Sequence, residues 1–257
     1  MGILNVTPDS FFDGGKYQNM DLALTHANKM IEDGASILDV GGYSSRPGAN
    51  DISVEEELRR VIPVSEKLKA TFPNTYLSID TFRAAVAQNA IEVGATMVND
   101  ISAGDDDSEM IPTVAKLNVP FIAMHKSGAA HNRIHANDYQ EVTTEVLDYF
   151  IKKIPQLRKH GIKDILIDPG FGFGKNVDHN FELLKNLEAF KLLDCPIVVG
   201  VSRKRMIYET LNIKADDALN GTTVANTIAC LNGANILRVH DVKEAADVVK
   251  IIHRLAN

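Results

Sequence analysis

Short apolar runs alternate with longer amphipathic stretches along the chain, at a period of roughly 30 residues. Most of the short runs are continuous in Val, Ile and Leu, which is typical of strands that are buried on both faces. The predicted strands are residues 3–6, 36–40, 76–80, 97–100, 121–125, 165–168, 197–202 and 236–240. The predicted helices between and after them are residues 22–32, 54–69, 83–92, 109–116, 141–159, 181–187, 218–231 and 244–255.

Local signals support the helix assignments. Ser53 and Glu56 have the spacing of a capping box at the start of the second helix. Pro63 is unfavourable within that helix, but the apolar spacing of Val54, Leu58, Val61 and Leu68 outweighs it. Several helices pass through a glycine into the next strand, which is typical of helix C-caps. These glycines are Gly34, Gly94, Gly161 and Gly233.

Eight strand-then-helix units in 257 residues predict a closed (β/α)8 TIM barrel. An open doubly wound sheet is the alternative, but it more often has fewer strands and a glycine-rich fingerprint. No linker or change in composition indicates a second domain, so we expect residues 1–257 to form a single barrel domain.

Composition narrows the class of protein. Apolar residues make up 45% of the chain and charged residues 24%, as in ordinary globular proteins, and no apolar run is long enough for a membrane span. The net charge of -7 argues against non-specific binding of nucleic acids. The two cysteines have no metal or disulfide spacing, and no signal peptide is recognisable. We therefore expect a cytoplasmic protein that acts on small molecules.

Polar side chains follow almost every predicted strand, where the carboxyl ends of barrel strands form the active site. Any one Asp or Asn here could simply cap the next helix, and for Asp39, which lies before Gly41, this interpretation and the binding interpretation both stay open. It does not explain the whole set, which predicts a binding site at one mouth of the barrel. The set is Asn5, Asp39, Asp80, Asn99 with Asp100, His125, Asp168, Ser202 with Lys204, and Arg238 with His240.

The charges of these residues indicate the chemistry of the ligand. A carboxylate such as Asp168 can accept two hydrogen bonds from the edge of a flat heterocycle, and Asp80 and Asn99 add further acceptors. Cationic side chains suited to phosphate oxygens are also present, namely Arg46, Lys204, Arg238 and His240. The mouth of the barrel is thus predicted to bind a ligand with a polar planar head and an anionic tail.

Two other segments resemble known ligand-binding motifs only superficially. The segment DPGFGFGK at residues 168–175 fits no phosphate-loop pattern, so we interpret its glycines as those of a flexible loop. The acidic segment DDDSE at residues 105–109 could imitate a metal chelator, but acidic residues before a helix more often interact with the helix dipole.

Seven motifs resemble those of the dihydropteroate synthases along essentially the whole chain. They are GILNVTPDSF, GGYSSRPG, SIDTF, VNDI, DPGFGFGK, SRKR and RVHDV, in the order and spacing of that family. The resemblance implies a pterin-binding (β/α)8 barrel of folate biosynthesis. It also implies a transferase that joins p-aminobenzoate to 6-hydroxymethyl-7,8-dihydropterin diphosphate, giving 7,8-dihydropteroate and diphosphate. Magnesium and a homodimer are implied as well.

The resemblance also implies roles for individual residues. Pterin is expected to bind Asp80, Asn99, Asp168 and Lys204, and Asn5 is expected to bind Mg²⁺ beside diphosphate oxygens. Arg238 and His240 match the diphosphate-binding pair, and Asp80, Lys204 and Arg238 are the expected catalytic residues. Further substrate contacts are expected from Ser45, Arg46, Met124, Phe171 and Ser202, with Ser45 and Arg46 over the p-aminobenzoate site.

The loop after Asn5 then resembles a lid that, with the SSRPG loop, encloses the second substrate. Enclosure would protect a cationic pterin intermediate from water.

Two segments depart from the family pattern. Phe12 stands where serine is usual, and the stretch after His125 matches no common continuation, so nothing is inferred from residues 126–140. Sulfonamides imitate p-aminobenzoate in this family.

Three alternatives have different sequence marks. Methyltransferases that bind methyltetrahydrofolate and serve corrinoid proteins share the pterin pocket but have no use for a diphosphate site. A non-catalytic pterin-binding barrel would have lost Asn5, Arg46, Lys204 or Arg238, and none is lost. A phosphate-binding isomerase barrel would explain the cations but not the acceptors at the pterin edge.

Overall fold

The computed structural model describes residues 1–6, 16–43, 51–127 and 139–256. In these ranges the strands are β1 (Gly2–Asn5), β2 (Ile37–Gly41), β3 (Tyr76–Asp80), β4 (Met97–Asp100), β5 (Phe121–Met124), β6 (Ile165–Asp168), β7 (Val198–Val199) and β8 (Ile236–Leu237). The helices are α1 (Lys16–Glu32), α2 (Val54–Thr71), α3 (Ala84–Glu92), α4 (Met110–Leu117), α5 (Val142–Lys159), α6 (Val177–Lys185), α7 (Arg205–Leu211), α8 (Leu219–Leu231) and α9 (Val242–Ala256). Two 3₁₀ helices, Leu187–Leu193 and Ala215–Asp217, follow α6 and α7.

The strands close into a barrel. Strands β1 to β6 form a parallel sheet in chain order, and β7 pairs in parallel with β8. A bridge between Ile167 and Ile197 joins β6 to the β7 side, and a bridge between Gly2 and Val239 joins β1 to the β8 side. At the second junction the Ile3 N–H donates to the Val239 carbonyl at 2.9 Å. The predicted (β/α)8 barrel is confirmed.

Alternation along the strands separates two apolar clusters. The larger cluster lies between the barrel and the helices and includes the fully buried rings of Phe121 and Phe150. A smaller cluster of Ile122, Leu166 and Val198 belongs to the opposite face of the strands, which is the interior of the barrel. Since successive side chains alternate between faces, the residues two positions further along β5 and β6 also point inward. The apolar base of the barrel thus leads directly into the layer that carries the candidate site.

The predicted helix signals are confirmed in the structure, except that only the Ser53 half of the capping box forms. Helix α2 runs through Pro63, and the Ser53 Oγ accepts a hydrogen bond from the Glu56 N–H at 3.2 Å. The Glu56 carboxylate instead pairs with the Arg60 guanidinium at 2.7 Å. The glycines after four helices have positive φ angles, which glycine adopts without strain. They are Gly34, Gly94, Gly161 and Gly233.

The predicted bounds were wrong in detail at the start of α1, which begins at Lys16 rather than at residue 22, and in the last third of the chain. Helix α6 begins at Val177 rather than at residue 181, because the Asn176 side chain caps it by accepting from the His179 N–H at 2.8 Å. Helix α7 was not predicted. Strand β7 ends at Val199, since the Lys204 N–H turns back to the Val201 carbonyl at 3.2 Å. None of the described helices is both long and apolar enough to cross a membrane.

Candidate active site

Arg238 lies at the centre of a polar network inside the barrel. Its Nε donates to the Asp39 Oδ2 at 2.6 Å, and its Nη2 donates to the Asp80 Oδ2 at 2.5 Å. The Asn99 Nδ2 donates to the same Asp39 oxygen at 3.0 Å. Strands β2, β3 and β4 and the residue that follows β8 therefore bring their polar side chains together at one end of the barrel.

This network carries two carboxylates and one guanidinium, and the side chains of Asp80 and Arg238 each keep 21% of their surface exposed. Asp39 is fully buried, and its Oδ1 has no hydrogen-bond partner among the described residues. Burial raises the pKa of Asp80, and the Arg238 guanidinium acts in the opposite direction. Arg238 thus holds the two carboxylates in place and favours the ionised form of Asp80.

A second pair, Asp168 and Lys204, lies beside this network. The Asp168 Oδ1 accepts from the Gly170 N–H at 2.7 Å, while the Lys204 Nζ donates to the Phe171 carbonyl. Burial raises the pKa of Asp168, and the charge of Lys204 opposes that shift. Burial lowers the pKa of Lys204 to about 8, with Asp168 acting against it. Each residue therefore supports the charged form of the other, and Asp168 keeps a second oxygen for a ligand.

Ser202 and His240 meet at the ends of the β7 and β8 segments. The Ser202 Oγ lies 3.0 Å from the His240 Nδ1 and also accepts from the His240 backbone N–H at 3.2 Å. Because the serine oxygen accepts from that N–H, its own proton can be donated to Nδ1. The buried serine thereby fixes the imidazole, which is exposed at the mouth of the barrel.

Asn5 ends β1 next to Gly41 and Asp80. A β-carbon placed on Gly41 would lie 3.5 Å from the Asn5 Oδ1 and 3.7 Å from the Asp80 Oδ2. The absence of a side chain at Gly41 thus leaves space between two oxygen atoms. Both are hard oxygen donors of the kind that Mg²⁺ prefers.

Comparison with known proteins agrees with this geometry. The family model for pterin binding enzymes matches residues 1–240. The dihydropteroate synthase of Escherichia coli strain K12 is 44% identical over 254 residues, which cover 98% of this chain and 89% of that protein. The chain belongs to the dihydropteroate synthase family.

Solved structures of family members have the same fold. The dihydropteroate synthase of Xanthomonas albilineans with 4-aminobenzoic acid has a TM-score of 0.93 and 40% identity, covering 99% of this chain and 92% of that one. The Yersinia pestis dihydropteroate synthase in complex with a sulfonamide drug has a TM-score of 0.93 and 41% identity, covering 99% of this chain and 93% of that one.

The structure brings most of the predicted site residues of this family member to the same end of the barrel. Two of them, Ser45 and Arg46, lie outside the described residues. Met124 is buried at the end of β5, where alternation places it on the interior face beside Asp168. The residues at the mouth are Asn5, Asp80, Asn99, Asp168, Ser202, Lys204, Arg238 and His240.

Phe171 requires a correction. Its ring is fully buried in the cluster between barrel and helices, so only its carbonyl, which accepts from Lys204, faces the site. The neighbouring Phe173 ring has the position expected of Phe171, with its centroid 4.9 Å from the Lys204 Nζ. The two phenylalanines alternate with glycines in the sequence, and the sequence alone does not say which ring turns inward.

Sequence reasoning gave too little weight to Asp39 and overlooked Lys175. Asp39 does not cap a helix but binds Arg238. The sequence signal for this was the position of Asp39 two residues before Gly41, on the face of β2 that points into the barrel. Lys175 is buried, and its Nζ lies 3.0 Å from the His125 Nδ1. Asp100, predicted as part of the polar set at the strand ends, instead holds its own turn by accepting from the Ser102 and Gly104 N–H groups, each at 2.7 Å.

The acidic segment at residues 105–109 has structural partners. Asp105 pairs with Lys153 at 2.6 Å, and the Asp107 carboxylate accepts from the Ala84 N–H at 2.8 Å, at the start of α3. Across the described ranges, no group of three or more His, Cys, Asp and Glu side chains is arranged to hold a metal ion. The helix-dipole interpretation therefore suits Asp107, and ion pairing accounts for Asp105.

Proposed function

We propose that this chain condenses 6-hydroxymethyl-7,8-dihydropterin diphosphate with p-aminobenzoate, giving 7,8-dihydropteroate and diphosphate. The observation that carries the proposal is the group of polar side chains that meet at one end of the barrel. Carboxylate and amide acceptors lie there beside the cations Arg238 and Lys204. Such a group suits a planar head with N–H groups and an anionic tail. The 4-aminobenzoic acid bound to the Xanthomonas relative supports the second substrate.

The pterin head would bind between the two pairs described above. We assign Asp168 to the 2-amino and ring N–H edge, because one of its oxygens is held by Gly170 and the other is left for a ligand. Asn99 and Asp80 would contact the other polar atoms of the ring, and Lys204 would donate to a ring acceptor. An unpaired buried group at this edge would cost about 1–3 kcal/mol, which gives the site its selectivity.

The diphosphate tail and the second substrate would lie further out. Arg238 and His240 would bind diphosphate oxygens, and the Ser202 hydroxyl keeps the imidazole turned toward the mouth. Ser45 and Arg46 are proposed to contact p-aminobenzoate from the second loop, with the Phe173 ring opposite in place of Phe171. Because a sulfonamide drug is bound to the Yersinia relative, we propose that sulfonamides compete with p-aminobenzoate here also.

The proposed reaction is dissociative. The bond between the pterin methylene carbon and the diphosphate oxygen breaks, and its electron pair leaves with diphosphate. The p-aminobenzoate nitrogen then forms the new bond with its lone pair and afterwards releases a proton. The ionised carboxylate of Asp80 would stabilise the positive charge that develops on the pterin, while Arg238 and Lys204 stabilise the departing anion and the bound ring. No general base is assigned, since an aniline-type amine is not protonated at neutral pH.

Magnesium is part of the proposal. The Asn5 side-chain oxygen faces the space over Gly41, and the chain offers there the oxygen donors that suit this ion. When bound, Mg²⁺ would neutralise charge on the leaving diphosphate. Asn5 would be its direct protein ligand, with the remaining positions taken by water and diphosphate oxygens.

We also propose a cytoplasmic homodimer. Helix α8 exposes Val224, Ile228 and Leu231, which follow one another at the spacing of a single helix face. Val224 is 54% exposed and Leu231 60% exposed, and a second copy of the chain could cover this face. Sedimentation of the wild type and of Ile228→Lys tests this, because a charge in the middle of the face should yield monomers. A wild type that sediments as a monomer would refute the dimer.

The free cysteines Cys195 and Cys230 agree with the reducing compartment that a cytoplasmic location provides.

The decisive experiment measures diphosphate release from 6-hydroxymethyl-7,8-dihydropterin diphosphate, with and without p-aminobenzoate, in Mg²⁺ or in excess chelator. Magnesium-dependent release together with formation of dihydropteroate is the expected result. Binding of the pterin compound with no turnover under any of these conditions would leave the pterin pocket intact and refute the proposed reaction.

A further inference from the structure

Lys175 is a buried cation that the proposed reaction does not use directly. It ends the DPGFGFGK segment, and only 8% of its surface is exposed. Its Nζ lies 3.0 Å from the His125 Nδ1 and donates to the carbonyls of Gly170 at 3.0 Å and Phe173 at 3.2 Å. All three partners are neutral acceptors. A charged group held in this way is costly to bury, which indicates that its position has a use.

The partners of Lys175 are the loop itself and the strand end on which the loop rests. A β-carbon on Gly170 would lie 1.7 Å from the His125 carbonyl, and one on Gly174 would lie 2.7 Å from the Ser127 Cβ. Gly170, Gly172 and Gly174 all have positive φ angles. The glycines therefore allow a tight, closely packed loop rather than a flexible one. The Lys175 ammonium is hydrogen-bonded to two carbonyls of this loop.

The same loop positions the two groups assigned to the pterin ring. Its Gly170 N–H binds the Asp168 carboxylate, and its Phe171 carbonyl accepts from Lys204. The Phe173 ring lies against the Lys204 ammonium. A displacement of the loop would therefore move the contacts of both Asp168 and Lys204.

We propose that Lys175 is a positioning residue of the synthase site, holding the loop of residues 169–174 on His125 so that Asp168 and Lys204 are presented to the pterin. The inference rests on the proposed function. Lys175 acts through the loop and through its charge, and it does not contact the substrate.

The charges around Asp168 make this role measurable. The cations that face Asp168 are Lys204, Arg238 and Lys175, and each of them lowers the pKa of a carboxyl that burial raises. Burial lowers the pKa of Lys175 to about 7, so below that pH it carries its charge. Burial, with the charge of Lys175, lowers the pKa of His125 to about 3, so the imidazole stays a neutral acceptor. Removing the charge of Lys175 should therefore raise the pH below which Asp168 is protonated.

The test compares Lys175→Met with Lys153→Met. Lys153, on α5, is also a buried lysine, at 3% exposure, but its ammonium pairs with the Asp105 carboxylate at 2.6 Å rather than with loop carbonyls. The affinity for 6-hydroxymethyl-7,8-dihydropterin is measured between pH 5 and pH 8 for the wild type and both variants. Lys175→Met should bind the pterin at least about tenfold more weakly at pH 6. Its acid limb, the loss of affinity as the pH falls, should lie at higher pH than in the wild type, whereas Lys153→Met should match the wild type.

Several outcomes would overturn the inference. Wild-type affinity and an unchanged pH profile in Lys175→Met would do so, as would an equal loss in Lys153→Met. If Lys175→Met does not fold, Lys175→Gln is measured instead, because it keeps a hydrogen-bond donor but loses the charge. The acid limb should then still move upward, and an unmoved limb would contradict the role of the charge. A wild type that fails to bind the pterin would refute the proposed function itself, which separates the two failures.

Discussion

Replacing Arg238 with methionine removes the guanidinium that links the carboxylates to the proposed diphosphate site. Two of its five N–H donors are engaged by Asp39 and Asp80, at 2.6 and 2.5 Å. The remaining donors are available for an anion. The variant should therefore lose affinity for the ligand that carries a diphosphate far more than for the pterin without it.

The size of the effect follows from these contacts. A hydrogen bond to a charged group contributes about 1.5–3 kcal/mol, so losing two of them from the diphosphate would cost at least about 3 kcal/mol, or roughly 100-fold in affinity. The variant also leaves Asp39 and Asp80 without their cation, and breaking a buried ion pair destabilises a protein by about 3–5 kcal/mol. Asp80 in turn would become easier to protonate, since Arg238 opposes the raised pKa of its carboxyl.

Calorimetry with two ligands separates these effects within one variant. The affinities for 6-hydroxymethyl-7,8-dihydropterin and for its diphosphate are measured in Mg²⁺, and urea unfolding establishes the fraction of folded Arg238→Met. We expect the affinity for the diphosphate ligand to fall by roughly 100-fold and that for the pterin by a few-fold. Equal losses for the two ligands would remove Arg238 from the anion site and refute the reasoning.

Three further variants test the rest of the site. Asp168→Asn should weaken both pterin ligands to a similar degree in calorimetry, since it replaces an acceptor with a donor at the pterin edge, and wild-type affinity would exclude Asp168 from the pocket. The kcat/KM for the diphosphate substrate should decrease as pH rises through about 8, where Lys204 loses its proton, and Lys204→Arg should move that decrease to higher pH. An unchanged profile would exclude Lys204 as the cause. Asn5→Ala should raise the Mg²⁺ concentration for half-maximal turnover without affecting binding of the pterin that lacks diphosphate, and an unaltered Mg²⁺ dependence would argue against Asn5 as a ligand.

The fold was predictable where local signals are strong. Gly94 and Gly161 end their helices as predicted, because positive φ angles favour glycine over other residues. Apolar periodicity outweighed Pro63 in α2. The errors occurred where the signal is short. The predicted helix α6 began too late, because only the contact of Asn176 with the His179 N–H identifies this residue as a cap. The seven residues of α7 are too few for a periodic pattern.

The site was predictable to the extent that strand ends converge in a barrel. This placed Asp80, Asp168 and Arg238 together, but it could not show which polar residues would bind one another. Asp39 could have capped a helix on the sequence evidence, and only the interior geometry shows that it binds Arg238. Lys175 was hidden for a related reason. The partners that make it informative include backbone carbonyls, which have no signature in a sequence.

The balance of charge within the barrel bears on the need for magnesium. The described interior brings together equal numbers of acidic and basic side chains, namely Asp39, Asp80 and Asp168 with Lys175, Lys204 and Arg238. Without a ligand these charges compensate one another, and the neutral pterin head does not disturb the balance. A diphosphate adds several negative charges to a region of low dielectric, where uncompensated charge is expensive. Since Arg238 is already shared between two carboxylates, additional positive charge has to accompany the tail. This is the physical argument for a divalent cation at Asn5, next to Asp80, where Gly41 leaves the space.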